Sequence, residues 1–152
     1  MQEPLPPGCG DLAKIRLDPG GPFARGMTKN ATRAHWGRRE IVVLQPFSLS
    51  RDGLQRFEQF AEVEGKWFRN ISHEARYSML KDNVARYYGT CAKKRGEQFI
   101  AVEGKLVRPS AGWPLPHRLD LALQLATFGL RLQQTGLVSC DWKLDQMAVT
   151  SS

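Results

Sequence analysis

Apolar and polar positions alternate along several stretches of the chain, as in strands. Strand-like patterns occur at residues 12–17, 28–36, 40–44, 84–91 and 98–102. The second and third stretches are separated by Gly37-Arg38, and the last two by a turn around Gly96, so each pair predicts a β-hairpin. The run Ile41-Val42-Val43-Leu44 is apolar throughout and rich in β-branched residues, which predicts a strand buried on both faces.

Three other segments have helical spacing. Residues 51–64 predict a helix that Gly65 ends, with an apolar side made of Leu54, Phe57, Phe60, Ala61 and Val63. Residues 72–82 predict a second helix with Ser72 as its N-cap, and its apolar side holds Ala75, Met79 and Leu80. A third helix is predicted from Pro116 to Gly136. Two apolar stripes run along it and predict burial of most of its surface. The first stripe consists of Leu119, Leu123, Ala126 and Leu130, and the second of Leu121, Leu125, Phe128 and Leu132. The order of elements predicts an α+β fold.

Composition indicates a folded domain with a basic surface. The chain has 152 residues, 41% of them hydrophobic, a net charge of +7 and a sequence pI near 9.7. Residues 1–10 are rich in Pro and Gly and predict a flexible lead-in. Anionic partners are permitted, but no run of five or six like charges occurs, so nucleic acid is an unlikely partner. No stretch reaches the roughly 18 apolar residues that predict a membrane span.

Cysteines and glycosylation sequons bear on the compartment. The three cysteines, Cys9, Cys91 and Cys140, form no CxxC pair, and thiols are favoured over the alternative of one disulfide with one thiol left over. Asn30-Ala31-Thr32 and Asn70-Ile71-Ser72 both fit the N-glycosylation sequon. The N-terminus lacks the apolar centre of a signal peptide. Together these features predict a secretory protein whose leader is not present in this sequence.

The segment CDWKLDQMAV, residues 140–149, carries the clearest chemistry. It resembles the catalytic loop of protein kinases, an aspartate followed five residues later by an asparagine and then by an apolar strand. The resemblance implies that Asp141 accepts the substrate hydroxyl's proton, Lys143 offsets phosphoryl charge, and Gln146 holds the metal. The alternative is a polar loop that follows a helix.

Further pieces of the chain resemble a kinase domain in the same order. Helix 72–82, hairpin 84–102 and the third helix look like αC, the fourth and fifth strands, and αE. Glu74 then corresponds to the αC glutamate, and Glu103 lies at the hinge, where backbone groups meet an adenine. Gly26-Met27-Thr28-Lys29 looks like a degenerate Gly-rich loop. The third strand has Gln45 near the position of the usual lysine, so we predict that Lys29, paired with Glu74, replaces that lysine.

The pattern is most similar to the divergent secretory-pathway kinases, the PKDCC (vertebrate lonesome kinase) and DIPK families. Their G-x-T-K, Y-G-x-C and C-D motifs resemble residues 26–29, 88–91 and 140–141. The resemblance implies a partial kinase domain over residues 11–152, with an N-lobe-like part at 11–104 and the start of a C-lobe at 105–152. That part ends before a D-F-G position, so the chain alone is expected to be inactive.

The same resemblance implies ATP with Mg or Mn as cofactors. The parent protein is expected to phosphorylate secreted or luminal proteins in the Golgi or outside the cell. The alternative is a pseudokinase-like module that binds partners as a scaffold without catalysis.

Overall fold

The computed structural model describes residues 14–92, 98–104, 106–107, 109–137 and 149–150. Its strands are β1 (Ile15–Leu17), β2 (Ala24–Arg25), β3 (Lys29–Trp36), β4 (Arg39–Pro46), β5 (Tyr87–Ala92), β6 (Gln98–Glu103), β7 (Leu106–Val107) and β8 (Val149–Thr150). Its α-helices are α1 (Arg51–Phe60), α2 (Lys66–His73) and α3 (Leu115–Thr135). A π-helical turn, Ala61–Gly65, joins α1 to α2, and a 3-10 turn, Ala75–Tyr77, follows. The α+β prediction is confirmed.

A six-stranded antiparallel sheet forms the body of the molecule, with strand order β1-β3-β4-β6-β5 and β2 paired to β3. Both predicted hairpins are present. Gly37 in the β3–β4 turn has a φ of 63°, a left-handed conformation that glycine adopts without strain. β4 lies between β3 and β6, and its residues from Ile41 to Leu44 are all buried, as the apolar run predicts.

A continuous helical segment, Arg51 to His73, covers one face of this sheet. Ser50 begins it, because its Oγ accepts the backbone N–H of Gly53 at 3.1 Å. The core between helix and sheet contains Val42, Leu44, Phe57, Phe60, Tyr87, Ile100 and Val102. These side chains hold the segment that carries the candidate site against β3 and β4.

The predicted end of the first helix at Gly65 is wrong. The helical segment continues through Gly65, which is buried, and a Cβ added there would lie 2.8 Å from Ile100 Cδ1. Glycine therefore permits a close approach of helix and sheet at this point.

The predicted helix at 72–82 is also wrong. α2 ends at His73, and Ser72 is no N-cap, because its Oγ accepts the N–H of Tyr87 at 3.0 Å. Tyr77 and Leu80 are buried through the 3-10 turn and the turns that follow it.

Helix α3 was predicted to be buried on most of its surface, and the structure corrects this. Its C-terminal part packs on Tyr77 and Leu80 through the stripe that contains Phe128 and Leu132. Gly136 ends the helix with a φ of 75°, as predicted. The other stripe is open, with Leu119 and Leu123 exposed by 61% and 67%.

The opposite face of the sheet holds a second cluster of buried side chains, with Trp36 and Tyr88 at its margin. Its members are Ala34, Ile41, Val43, Cys91, Phe99 and Ala101. Cys91 is disulfide-bonded, so the favoured interpretation of the cysteines as thiols is wrong for this residue.

Candidate functional site

Lys29 lies where the sheet meets the π-helical turn. It is the first residue of β3, and its Nζ lies 3.6 Å from Oε2 of Glu64. The same Nζ lies 3.9 Å from the centroid of the Phe60 ring. The Lys29 side chain is 29% exposed, whereas that of Glu64 is 61% exposed. The ammonium group is thus held between an aromatic face and a carboxylate.

Burial lowers the pKa of Lys29, because removal from water disfavours the charged form. The charge of Glu64 and its hydrogen bond oppose that effect in part. Lys29 lies on the Phe60 ring and its partner Glu64 is largely exposed, so its ammonium group can attract a further anion. Perturbed groups of this kind are candidates for functional sites.

The π-helical turn determines where Glu64 lies. Phe60 is buried at its start, and Gly65 is buried against Ile100 at its end. With both neighbours fixed on the sheet, Glu64 lies at the side of the helix and reaches the end of β3. π-turns inside α-helices frequently occur at functional sites.

The sheet register places Lys29 and Gln45, the residue near the position of the usual third-strand lysine, on opposite faces. Lys29 is paired with Pro46 and Asn30 with Gln45. Because side chains alternate along a strand, Gln45 projects from the face opposite that of Lys29. Leu44, on the same face as Lys29, packs in the cluster with Phe60. The lysine beside the helix, Lys29, therefore comes from β3, and the neighbouring β4 residues on that face are apolar.

The predicted pair of Lys29 with Glu74 is wrong. Glu74 follows the last residue of α2, and its Oε2 lies 2.7 Å from Nε of Arg76. Since the helix spans 51–73, the glutamate that faces β3 comes ten residues earlier in the sequence, at Glu64. A sequence signal for it exists, because Glu64 follows Phe60 by four residues and helix residues at that spacing share a face.

Gly26, predicted in a phosphate-binding loop, lies close to Lys29. Its backbone N–H donates to the Lys29 carbonyl oxygen at 2.8 Å, which closes a four-residue turn between β2 and β3. A Cβ on Gly26 would lie 3.2 Å from that same oxygen. The structure therefore brings Gly26, Lys29 and Glu64 together.

Glu103, predicted at the hinge, is the last residue of β6 and is half-buried. It is paired with Ile41 across the sheet, and its N–H donates to the carbonyl oxygen of Arg86 at 2.8 Å. At the following residue, Gly104, a Cβ would lie 2.5 Å from the Ile41 backbone, so the sheet requires glycine there. Ile41 is also paired with Ala34, near the last residue of β3, whereas Lys29 is the first residue of that strand. Glu103 therefore lies at the opposite end of the sheet from Lys29.

The two predicted glycosylation residues lie in regular secondary structure. Asn30 is in β3, and its Nδ2 donates to the Phe47 carbonyl oxygen at 3.3 Å. Asn70 is in α2, and both side chains are half-buried. The predicted catalytic and metal-binding residues Asp141, Lys143 and Gln146 lie outside the described residues.

Within the described part of the chain, no helix is long and apolar enough to cross a membrane. Over the same residues, no cluster of three or more His, Cys, Asp or Glu side chains could hold a metal ion. A scan against protein-family models finds no match to this chain, and a search of curated proteins finds no significant match.

Proposed function

We propose that this chain is part of a divergent protein kinase domain in which Lys29 and Glu64 form the phosphate end of an ATP site. One observation carries the proposal, namely the ion pair between a half-buried lysine on the sheet and a glutamate on the helix packed against it. Protein kinases require a lysine–glutamate pair of this kind, in which the lysine contacts the nucleotide phosphates. The parent protein would transfer phosphate from ATP, with Mg or Mn, to secreted or luminal proteins.

The order of elements supports this proposal. A hairpin, β3–β4, leads into the helical segment, and a second hairpin, β5–β6, follows before α3. The resemblance predicts the same succession of elements, with the αC-like helix now assigned to residues 51–73. The turn closed by Gly26 stands beside Lys29, where a Gly-rich loop would cover phosphates. The lowered pKa of Lys29 also supports the proposal, because the negative charge of bound phosphates would stabilise the charged form of its ammonium group.

The disulfide at Cys91 supports residence in the secretory pathway. Disulfides persist in oxidising compartments and are rare in the cytosol. The sequons add less to this argument, since neither Asn30 nor Asn70 lies in an exposed loop.

A pseudokinase-like scaffold is the second candidate function. The observation that favours it is the open leucine stripe of α3, since an apolar surface of that kind is typical of a contact with another polypeptide. The two functions differ in whether the Lys29 site binds nucleotide.

Calorimetric titration of the chain with ATP and Mg²⁺, repeated with Mn²⁺, tests the proposal. Lys29→Ala should weaken ATP binding by about tenfold or more, which corresponds to roughly 1.4 kcal/mol. Gln45→Ala is the matched control, because Gln45 projects from the other face of the same hairpin and should change affinity little. Equal small effects of the two substitutions would remove Lys29 from the site. Absence of ATP binding would favour the scaffold.

A further inference from the structure

Five cationic side chains gather at the end of the sheet away from Lys29. β3 runs from Lys29 to Trp36, and the cations lie around Trp36. Two are on or just before β1, one is in the β3–β4 turn, one is at the start of β4 and one is just before β5. We name this group the basic end, and it consists of Lys14, Arg16, Arg38, Arg39 and Arg86. Acids are also present among the described residues of this region. Glu40 neighbours Arg39 on β4 and so projects from the opposite face, which by the sheet register is the face of Arg16, and Glu103 is half-buried at the end of β6.

Two of these cations are held on aromatic rings. The Arg39 guanidinium lies 5.4 Å from the Trp36 ring centroid and 5.8 Å from that of Tyr88. Arg86 lies 5.8 Å from the Tyr88 centroid, and the two rings meet edge to face at 6.4 Å. Guanidinium groups held in this way need less ordering when a ligand binds.

An open cavity of about 490 Å³ lies beside this stack. Its lining consists of Lys14, Arg16, Trp36, Gly37 and Arg39. Three of these five residues are cations, and Arg16 and Lys14 are exposed, so an anionic group in the cavity could contact several positive charges while its remainder stays in water.

The basic end extends across the whole sheet. From β1 to β5 there are four strand spacings, which correspond to roughly 19 Å at about 4.8 Å per spacing. That length suits an extended polymer that carries repeated charges better than a single ion. Single-stranded nucleic acids bind largely by stacking bases on aromatic rings. Here arginines already lie over Trp36 and Tyr88, so a ligand without flat rings is favoured.

We propose that the basic end binds a sulfated polysaccharide. Sulfate groups would accept hydrogen bonds from the guanidinium groups of Arg39 and Arg86, which lie over the same pair of rings, and sugar rings would continue along the end of the sheet. The site lies at the other end of β3 from Lys29 and does not depend on ATP binding.

Biolayer interferometry with immobilised heparin, used as a sulfated polysaccharide probe, tests this assignment at several salt concentrations. The variant Arg39→Gln/Arg86→Gln should weaken binding at least about tenfold, the factor that 1.4 kcal/mol produces, because two charge-assisted hydrogen-bond donors are lost. The control variant is Arg25→Gln/Arg33→Gln, which removes the same charge. Arg33 lies on the opposite face of β3 from Trp36, and it too lies over an aromatic ring, 4.7 Å from the Phe23 centroid. The control should keep its affinity within about twofold at the same salt.

Several outcomes would overturn the proposal. Equal losses in the two double variants would show that binding reports net charge alone, and absence of heparin binding would exclude the site. Tighter binding of single-stranded RNA than of heparin would assign the site to nucleic acid. If Arg39→Gln/Arg86→Gln fails to fold, the single variant Arg86→Gln replaces it, with Arg33→Gln as its control. Retention of heparin binding by that variant would contradict the assignment.

Discussion

The substitution Gly65→Ala tests how closely the helical segment approaches the sheet. Two effects oppose each other. Alanine favours a helix interior over glycine by up to about 1 kcal/mol. Its Cβ, however, would lie 2.8 Å from Ile100 Cδ1, and Ile100 is fully buried with little room to shift. Overpacking of this kind typically costs about 1–3 kcal/mol. We therefore expect the free energy of unfolding to fall by about 1–2 kcal/mol. For a chain of this length, each kcal/mol lowers Tm by roughly 2–4 °C.

A double-mutant cycle makes this prediction specific. Ile100→Val removes the Cδ1 atom that a Cβ at position 65 would meet, and alone it should cost about 0.5–1.5 kcal/mol. The double variant should be more stable than the sum of the two single effects predicts, since the new Cβ occupies the space that Cδ1 leaves. Urea unfolding followed by circular dichroism measures all three free energies of unfolding.

Gly129→Ala in α3 is the matched control. A Cβ at Gly129 meets no atom within 4 Å, so this substitution should stabilise the chain by a few tenths to about 1 kcal/mol. Stabilisation by Gly65→Ala, or strict additivity with Ile100→Val, would refute the close approach of helix and sheet. Because Glu64 precedes Gly65, a displaced helix should also weaken the ATP binding that we propose at Lys29.

Three further predictions concern stability and the disulfide. Lys29→Met should raise the free energy of unfolding at pH 7. The difference in free energy of unfolding between Lys29→Met and wild type should shrink as pH rises from the lowered folded-state pKa of Lys29 to the ordinary lysine value of about 10.4. In that range the unfolded wild type binds more protons than the folded protein, so the wild type gains stability as pH rises. A constant difference across the range in urea titrations would contradict this. Ser72→Ala should cost about 1–3 kcal/mol, since the part-buried Tyr87 N–H loses its acceptor, and an unchanged urea midpoint would show that water replaces the hydroxyl. Peptide mapping without reduction should recover Cys91 in a cross-linked peptide that dithiothreitol releases, and alkylation of Cys91 in the unreduced protein would contradict the disulfide.

The strands could be predicted from the sequence because their patterns report local geometry and burial together. The run from Ile41 to Leu44 has no polar residue that could face water, and it became the strand between β3 and β6. Gly37 similarly indicated a turn that requires a left-handed conformation.

The helices were predicted less well because two glycines with the same local signal have different surroundings. Gly136 ends a helix in the left-handed conformation, whereas Gly65 continues one beneath Ile100. Only the position of β6 distinguishes them, and sequence spacing does not contain that information. The mistaken helix at 72–82 placed the expected partner of Lys29 at Glu74, whereas the structure pairs Lys29 with Glu64. Lys29 was chosen as a candidate because its place at the start of a predicted strand and after Gly26 is a local feature, and its role stays a prediction.

Nuclear magnetic resonance of the Lys29 side chain tests the central claim most directly. In protein labelled with ¹³C and ¹⁵N at lysine, the Lys29 signal is assigned by its loss in Lys29→Arg, and its pKa is measured in the free state, with adenosine, and with ATP and Mg²⁺. We predict that the Lys29 pKa lies below the ordinary lysine value in the free protein, changes little with adenosine, and rises with ATP, because the phosphates add negative charge beside the ammonium group. Binding of ATP that leaves the Lys29 pKa unchanged would contradict the claim that this lysine, with Glu64, forms the phosphate end of the site.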